Sequence, residues 1–172
     1  MSSIFALLTS ILTITVRAGT SLVYGTIGEI HTERSGILNL GVEGMMLSSA
    51  VAAFATAYYT GSPTLGLVIA MLMGAALASV HAFLTVTMRA NQVVSGLSIT
   101  LFGSGLASFL GERLGPASNN RSLVGLVGPR FSPIVIPGLS EIPVVGAFFK
   151  QDIMTYALYL LVPAAWYYLY KT

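Results

Sequence analysis

Runs of apolar residues, each about 20 residues long and with one charged side chain or none, recur along this chain. A run of that length crosses about 30 Å of hydrocarbon as an α-helix. Inside a bilayer every backbone N–H and C=O must find a partner without water, so only helices and closed barrels can span it. Barrel strands would alternate apolar and polar residues over shorter segments, and these runs do not. The expected fold is therefore all-α, a polytopic transmembrane helix bundle. Composition agrees: 55% of the residues are hydrophobic and 8% are charged, against about 25% charged in soluble domains. Mean hydropathy is +0.82. A net charge of +2 is too small to argue for a nucleic-acid partner. The chain contains no cysteine, which excludes disulfides, thiolate metal sites and cysteine nucleophiles.

Five spans are expected, at about residues 4–27, 37–59, 64–88, 93–110 and 153–170. The first follows Met1-Ser2-Ser3, whereas a secretory signal has a basic n-region and a cleavage site after a shorter core, so a retained transmembrane helix is expected. Gly61-Ser62-Pro63 reads as a tight turn, and Arg89-Ala90-Asn91-Gln92 as a short polar break. Residues 111–152 form the long connection, which holds five of the seven prolines and so cannot be one helix. Small residues recur every four positions at Gly44, Ser48, Ala52, Thr56, at Gly66, Ala70, Gly74, Ala78 and at Gly96, Thr100, Ser104, Ser108. Residues four apart share a helix face, and small faces let backbones approach closely in lipid. The helices are thus expected to pack together. Lys and Arg are spread over both sides, so the positive-inside rule does not orient the chain.

The densest polar cluster is Gly28-Glu29-Ile30-His31-Thr32-Glu33-Arg34-Ser35-Gly36, leading into Ile37-Leu38-Asn39-Leu40-Gly41-Val42-Glu43-Gly44. Glu29 and Glu33 are four apart, as are Asn39 and Glu43, so each pair shares a face if the segment is helical. Glu43 stands in an apolar run, where a charge costs on the order of 3 kcal/mol. It persists there only if paired, protonated or facing water, which makes it a functional candidate; Arg17 and Arg34 are the possible partners. Gly36, Gly41 and Gly44 suggest a broken or tightly crossed helix, tolerated at membrane depth where it lines a cavity or is buried in protein. Glu29, Glu33 and Arg34 read as a polar turn between helices.

The run GEIHTERSGILNLGVEGMML, residues 28–47, resembles the signature of the nucleoside and simple-sugar ABC permeases, a family akin to the branched-chain amino acid and ribose permeases. Asn91 to Gly96 and Gly105 to Phe109 resemble a second block of that family, and Leu160 to Thr172 its helix leading to the coupling region. Thr100 stands where the family usually has Asn. The family continues past this point with a cytoplasmic coupling segment, so residues 1–172 are expected to be the N-terminal part of a single permease domain. The resemblance implies a non-enzymatic subunit of an ATP-driven importer in the plasma (inner) membrane. Its implied partners are a second permease subunit, a cytoplasmic ATPase and an extracytoplasmic substrate-binding lipoprotein, with lipid around it. It also places the 111–152 loop outside and the Glu29, Glu33, Arg34 cluster on the cytoplasmic side. Asn39, Glu43, Asn91 and Gln92 become candidates for lining or gating the path.

No G-x-x-x-x-G-K-[ST] run is present, so the chain is expected to bind no cofactor itself and ATP would be used by a partner. His31 and His81 lack acidic companions at metal-ligand spacing. Three rival readings are a secondary transporter with discontinuous helices, a structural membrane subunit, and an intramembrane serine hydrolase using Ser104 with His81.

Overall fold

A computed structural model describes residues 2–140, 142 and 144–171. Among these residues five long α-helices form: α1 (Ser2–Arg34), α2 (Val42–Thr60), α3 (Pro63–Ala82), α4 (Gln92–Arg113) and α5 (Ile153–Lys171). The helices α1, α3 with the π-helical turn Phe83–Thr87 that follows it, and α4 are long and apolar enough to cross a membrane. α2 and α5, each of 19 residues, are diluted by hydroxyls and tyrosines rather than by charge. Their number and order fit the about five spans expected. The chain divides into two compact units, one from Glu29 to Arg130 and the other joining the residues up to Gly28 to those from Phe131 onward.

In the Glu29–Arg130 unit, α2 packs along both α3 and α4. The α2–α3 turn has the chemistry its sequence announces. Gly61 closes α2 in the left-handed region, with φ 72°. Ser62 caps α3 by accepting a hydrogen bond from Leu65 N at 3.3 Å, and Pro63 takes the first helical position. There the missing N–H of proline costs nothing.

Small residues set the helix contacts. A Cβ built on Gly44 would lie 2.5 Å from Ile99 O, one on Gly66 2.7 Å from Ala53 O, and one on Gly74 3.2 Å from Ser49 Oγ. Gly103 sits against the Gly44 backbone just as closely. The buried stripe of α4 is Ser95, Gly96, Ile99, Gly103 and Ala107. The expected α4 ladder is therefore off by one residue over its second half, where Ser104 and Ser108 line an open apolar groove instead. The groove lies between α2 and α4 and includes Leu47, Phe54 and Leu123.

Two helices have limits that differ from those of the hydrophobic runs they contain. The first helix does not stop at residue 27 but continues through Arg34. At 1.5 Å per residue its 33 residues measure about 50 Å, so its polar end extends past a hydrocarbon layer of about 30 Å. Glu29, Glu33 and Arg34 thus lie on helix, not in a turn. The stop comes at Gly36, with φ 85°. Gly36 N donates to Glu33 O at 2.9 Å and Ile37 N to Thr32 O at 3.1 Å, which is the Schellman pattern. The second helix begins at Val42 rather than at residue 37, for reasons given in the next subsection.

The other unit holds α1 as far as Gly28, α5, and the segment leading into α5. The loop 111–152 is irregular, as its prolines required, apart from the last turn of α4. Its second half forms an antiparallel pair, β1 (Ile134–Val135) with β2 (Lys150–Gln151), and a 3-10 turn at Val145–Phe148. Gln151 is fully buried and donates to Ala147 O at 2.8 Å and Thr13 O at 3.3 Å. Val144 N donates to Thr9 Oγ1 at 3.1 Å, and Tyr24 OH to Met154 O at 2.9 Å. The chain entering α5 is thereby tied along α1.

Candidate functional site

The break between α1 and α2, Gly36 to Gly41, has its backbone satisfied by side chains. Leu38 N donates to Gln92 Oε1 at 2.8 Å, and Gln92 Nε2 donates to Gly36 O at 3.2 Å. Asn39 N donates to Glu29 Oε1 at 2.9 Å. Thr100 Oγ1 donates to Leu40 O at 2.6 Å. Asn39 Oδ1 accepts from Gly41 N at 3.0 Å, a turn that asparagine makes with its own backbone two residues on. These bonds compete with helix formation from residue 37 and explain why α2 starts late. Unwound backbone at membrane depth needs such partners. Glu29 thus sets the break from α1, and Gln92 and Thr100 set it from α4.

The late start overturns the shared face of Asn39 and Glu43, because Asn39 is not helical. Asn39 is buried, with Nδ2 3.8 Å from Met45 Sδ. Glu43 is exposed in the first turn of α2. The N-terminal end of a helix favours negative charge, and α2 has no side-chain cap at Gly41. Asn91 caps α4, its Oδ1 accepting from Val93 N at 3.0 Å and Val94 N at 3.2 Å. Glu33 and Arg34 are exposed near the end of α1.

The three glycines play distinct parts. Gly36 supplies the positive φ that ends α1. At Gly41 a Cβ would meet Ile99 Cγ2 at 3.0 Å, and at Gly44 it would strike the α4 backbone. Gly96 completes the cradle, since a Cβ there would come within 2.8 Å of Leu40 N. The break is therefore wedged between glycines of α2 and α4.

Sequence reasoning set aside Thr100 as a departure and treated Glu29 as a peripheral charge. Both hold the break. Their spacing to Asn39 and Leu40, ten and sixty residues, gives no periodic signal. The Ser104–His81 pairing does not form. His81 Nδ1 lies 3.0 Å from Ser95 Oγ with both residues buried, while Ser104 Oγ donates to Leu101 O at 3.1 Å. Polar pairs of this kind join membrane helices. No three His, Asp or Glu side chains among the described residues converge as metal ligands.

These features define a helical membrane protein in which the break before the second helix is held by side chains of its neighbours. The profile of the family described as branched-chain amino acid transport system / permease component matches residues 4–172, and the chain belongs to that family. It is 42% identical over 163 residues to a provisionally named glucose ABC transporter permease protein of Haloferax volcanii, covering 94% of this chain and 48% of that one. It is 37% identical over 164 residues to a nucleoside ABC transporter permease protein of Lactococcus lactis subsp. cremoris, covering 89% and 49%. It is 31% identical over 160 residues to a guanosine ABC transporter permease protein of Bacillus subtilis, covering 88% and 49%. The chain spans about half the length of the curated relatives it matches. No solved structure matches it significantly. The family is one of transport permeases rather than enzymes.

Proposed function

We propose that this chain contributes the N-terminal part of a permease domain in an ATP-binding-cassette importer, which moves a nucleoside or simple sugar across the plasma (inner) membrane. The names of its relatives support that substrate class. The single observation that carries a mechanism is the break at Gly36–Gly41, secured by Glu29, Gln92 and Thr100. A segment held by side chains can exchange partners without unravelling a helix. That makes it a candidate two-state element between outward and inward arrangements.

Substrate moves only if those arrangements bind it differently. Asn39, Gln92 and Asn91 have committed most of their polar atoms to backbone, so their role is to shape and gate the path. Glu43, exposed beside the break, is the group left to face it. ATP is used by a separate cytoplasmic subunit, a binding lipoprotein delivers substrate from outside, and a second permease subunit completes the path.

The test is uptake of labelled guanosine and labelled glucose by cells carrying the transporter, with ion gradients clamped and ATP depleted. Uptake that survives ATP depletion sinks the importer reading in favour of secondary transport. In the same cells Glu43→Ala is expected to abolish uptake at unchanged membrane abundance. Normal uptake by that variant removes Glu43 from the mechanism.

A further inference from the structure

The break at Gly36–Gly41 is held from α4 by Gln92 and Thr100. The placement of the first turns of α4 therefore decides whether those bonds form. α4 lies mainly along α2 and meets α3 sparsely. The chain that joins α3 to α4 is irregular. Its π-helical turn, Phe83–Thr87, is followed by Arg89 at φ 53°. Met88 N donates to Phe83 O at 3.0 Å and Ala90 N to Leu84 O at 2.9 Å. Such widened turns depart from the regular helical ladder and gather at functional sites.

A buried hydrogen bond spans this connection. His81, at the end of α3, has Nδ1 3.0 Å from Ser95 Oγ. His81 is 3% exposed and Ser95 5%. Gln92, Ser95, Gly96 and Thr100 follow the three- and four-residue spacing of one helix face. That face carries both α4 side chains that hold the break, and the glycine against which Leu40 rests. The imidazole thus grips the same helix end that holds the break.

His81 Nε2 is buried and has no hydrogen-bond partner among the described residues. Either tautomer leaves it unmatched. If Ser95 donates to Nδ1, the Nε2 proton has no acceptor; if Nδ1 donates to Ser95, Nε2 is an acceptor without a donor. A buried polar atom without a partner costs free energy. An apolar pair would join α3 to α4 without that cost. A side chain that costs stability where it stands calls for a role beyond stability.

We propose that His81 is a positioning residue for the break. Through Ser95 it fixes the first turn of α4, and so places Gln92 against Leu38 N and Gly36 O. The inference deepens the reading of the break as a moving element, and rests on that reading for its meaning in transport. His81 acts through Ser95 and Gln92 rather than on the substrate.

The experiment measures amide hydrogen exchange on the whole chain in lipid nanodiscs, at Leu38 in the break and at Gly103 in the middle of α4. His81→Leu with Ser95→Ala removes both polar partners together, a replacement that a merely structural pair tolerates with little loss of stability. Leu38 exchange is expected to speed up by about two- to tenfold, with Gly103 exchange unchanged. His81→Asn, whose side-chain amide takes the place of Nδ1, is expected to keep the wild-type rate. In a Gln92→Leu background the double variant is expected to add nothing, because the tie acts through Gln92. Unchanged Leu38 exchange in the double variant overturns the proposal. So does equal acceleration at Gly103, or an additive effect in the Gln92→Leu background. If the double variant fails to fold, Ser95→Ala alone decides by the same rates. Failure of the importer reading shows separately, as uptake that survives ATP depletion. Normal uptake by a variant with faster Leu38 exchange counts against the break as the moving element, not against the hold of His81 upon it.

Discussion

The two units of this chain solve the same problem by different means. In the Glu29–Arg130 unit, helices meet backbone to backbone through glycines, and the buried positions of α2 and α4 include Gly44, Ser48, Gly96 and Gly103. In the other unit the buried side chains are chiefly polar, with Thr20, Gln151 and Thr155 among them. Its helix α1 keeps Ile4, Leu7, Ile14 and Leu22 largely exposed. In lipid there is no hydrophobic drive to bring apolar faces together, so close contact and hydrogen bonds do that work. The first unit combines backbone contact with hydrogen bonds such as that of His81 with Ser95, while the second relies chiefly on hydrogen bonds. An apolar face left open, such as that of α1, is stable in lipid without any protein partner.

The strongest way to break this contrast is to put a side chain where two backbones touch. Gly103→Leu cannot be accommodated, because even a Cβ collides with the backbone of Gly44. Overpacking costs typically 1–3 kcal/mol and more when backbone must move, and here it must. Gly105→Leu, two residues on, meets nothing within 4 Å. Gly103→Leu is expected to lose most of the monodisperse protein on extraction, while Gly105→Leu behaves as wild type in size-exclusion profile and melting temperature. Equal tolerance of both would mean that α2 and α4 are not held by glycine contact.

A smaller effect is expected at the break, where the first unit borrows the hydrogen-bonding solution of the second. Gln92→Leu deprives Leu38 N and Gly36 O of their partners at once. Leu38 N is part-buried and Gly36 O exposed, so the loss is that of an ordinary hydrogen bond, about 0.5–1.5 kcal/mol. Hydrogen exchange at the Leu38 amide should speed up by about two- to tenfold. Gln92→Glu keeps the acceptor for Leu38 N and loses the donor to Gly36 O, so its exchange should fall between the two. Exchange unchanged in Gln92→Leu would show that the break is held by the glycine cradle alone.

What the residues disclosed follows the same division. The membrane spans and the Gly61-Ser62-Pro63 turn were legible because hydrophobic runs and turn chemistry are local. The glycines at 36, 41 and 44 suggested a broken or tightly crossed helix; Gly36 ends α1 at positive φ, and Gly41 and Gly44 lie against α4. The bounds of the break were not legible. The Glu29, Gln92 and Thr100 side chains that stop α2 from starting at residue 37 are brought in by tertiary packing, which no window of sequence contains. The α4 ladder failed for a related reason. Two registers of small residues, 96-100-104-108 and 96-99-103-107, coexist in that helix, and only the partner backbone selects between them. A cavity lined by Arg17 and Lys150 joins residues 133 positions apart, and in sequence Arg17 stood as an interruption in an apolar run and a possible partner of Glu43.

The smallest expected effect tests whether the polar contacts of the two units are equivalent. Ser48 Oγ, fully buried, lies 2.8 Å from Gly44 O and 2.9 Å from Gly103 O. Ser48→Ala therefore removes the side-chain hydrogen bonding seen among the described residues where Gly44 meets Gly103, and a cost of about 0.6–1 kcal/mol is expected. Thr20→Val removes the contact with Thr155 Oγ1 in the other unit. Thr155 has one hydroxyl proton and a second acceptor, Asp152 Oδ1 at 3.1 Å, which as a carboxylate is the stronger acceptor. The Thr20 proton is already given to Val16 O at 2.8 Å, an intrahelical bond whose carbonyl keeps its helical partner. Thr20→Val should thus shift the unfolding midpoint by less than Ser48→Ala does, by under about 0.5 kcal/mol. A larger loss in Thr20→Val would reverse the order and show that Thr20, not Asp152, receives the Thr155 proton.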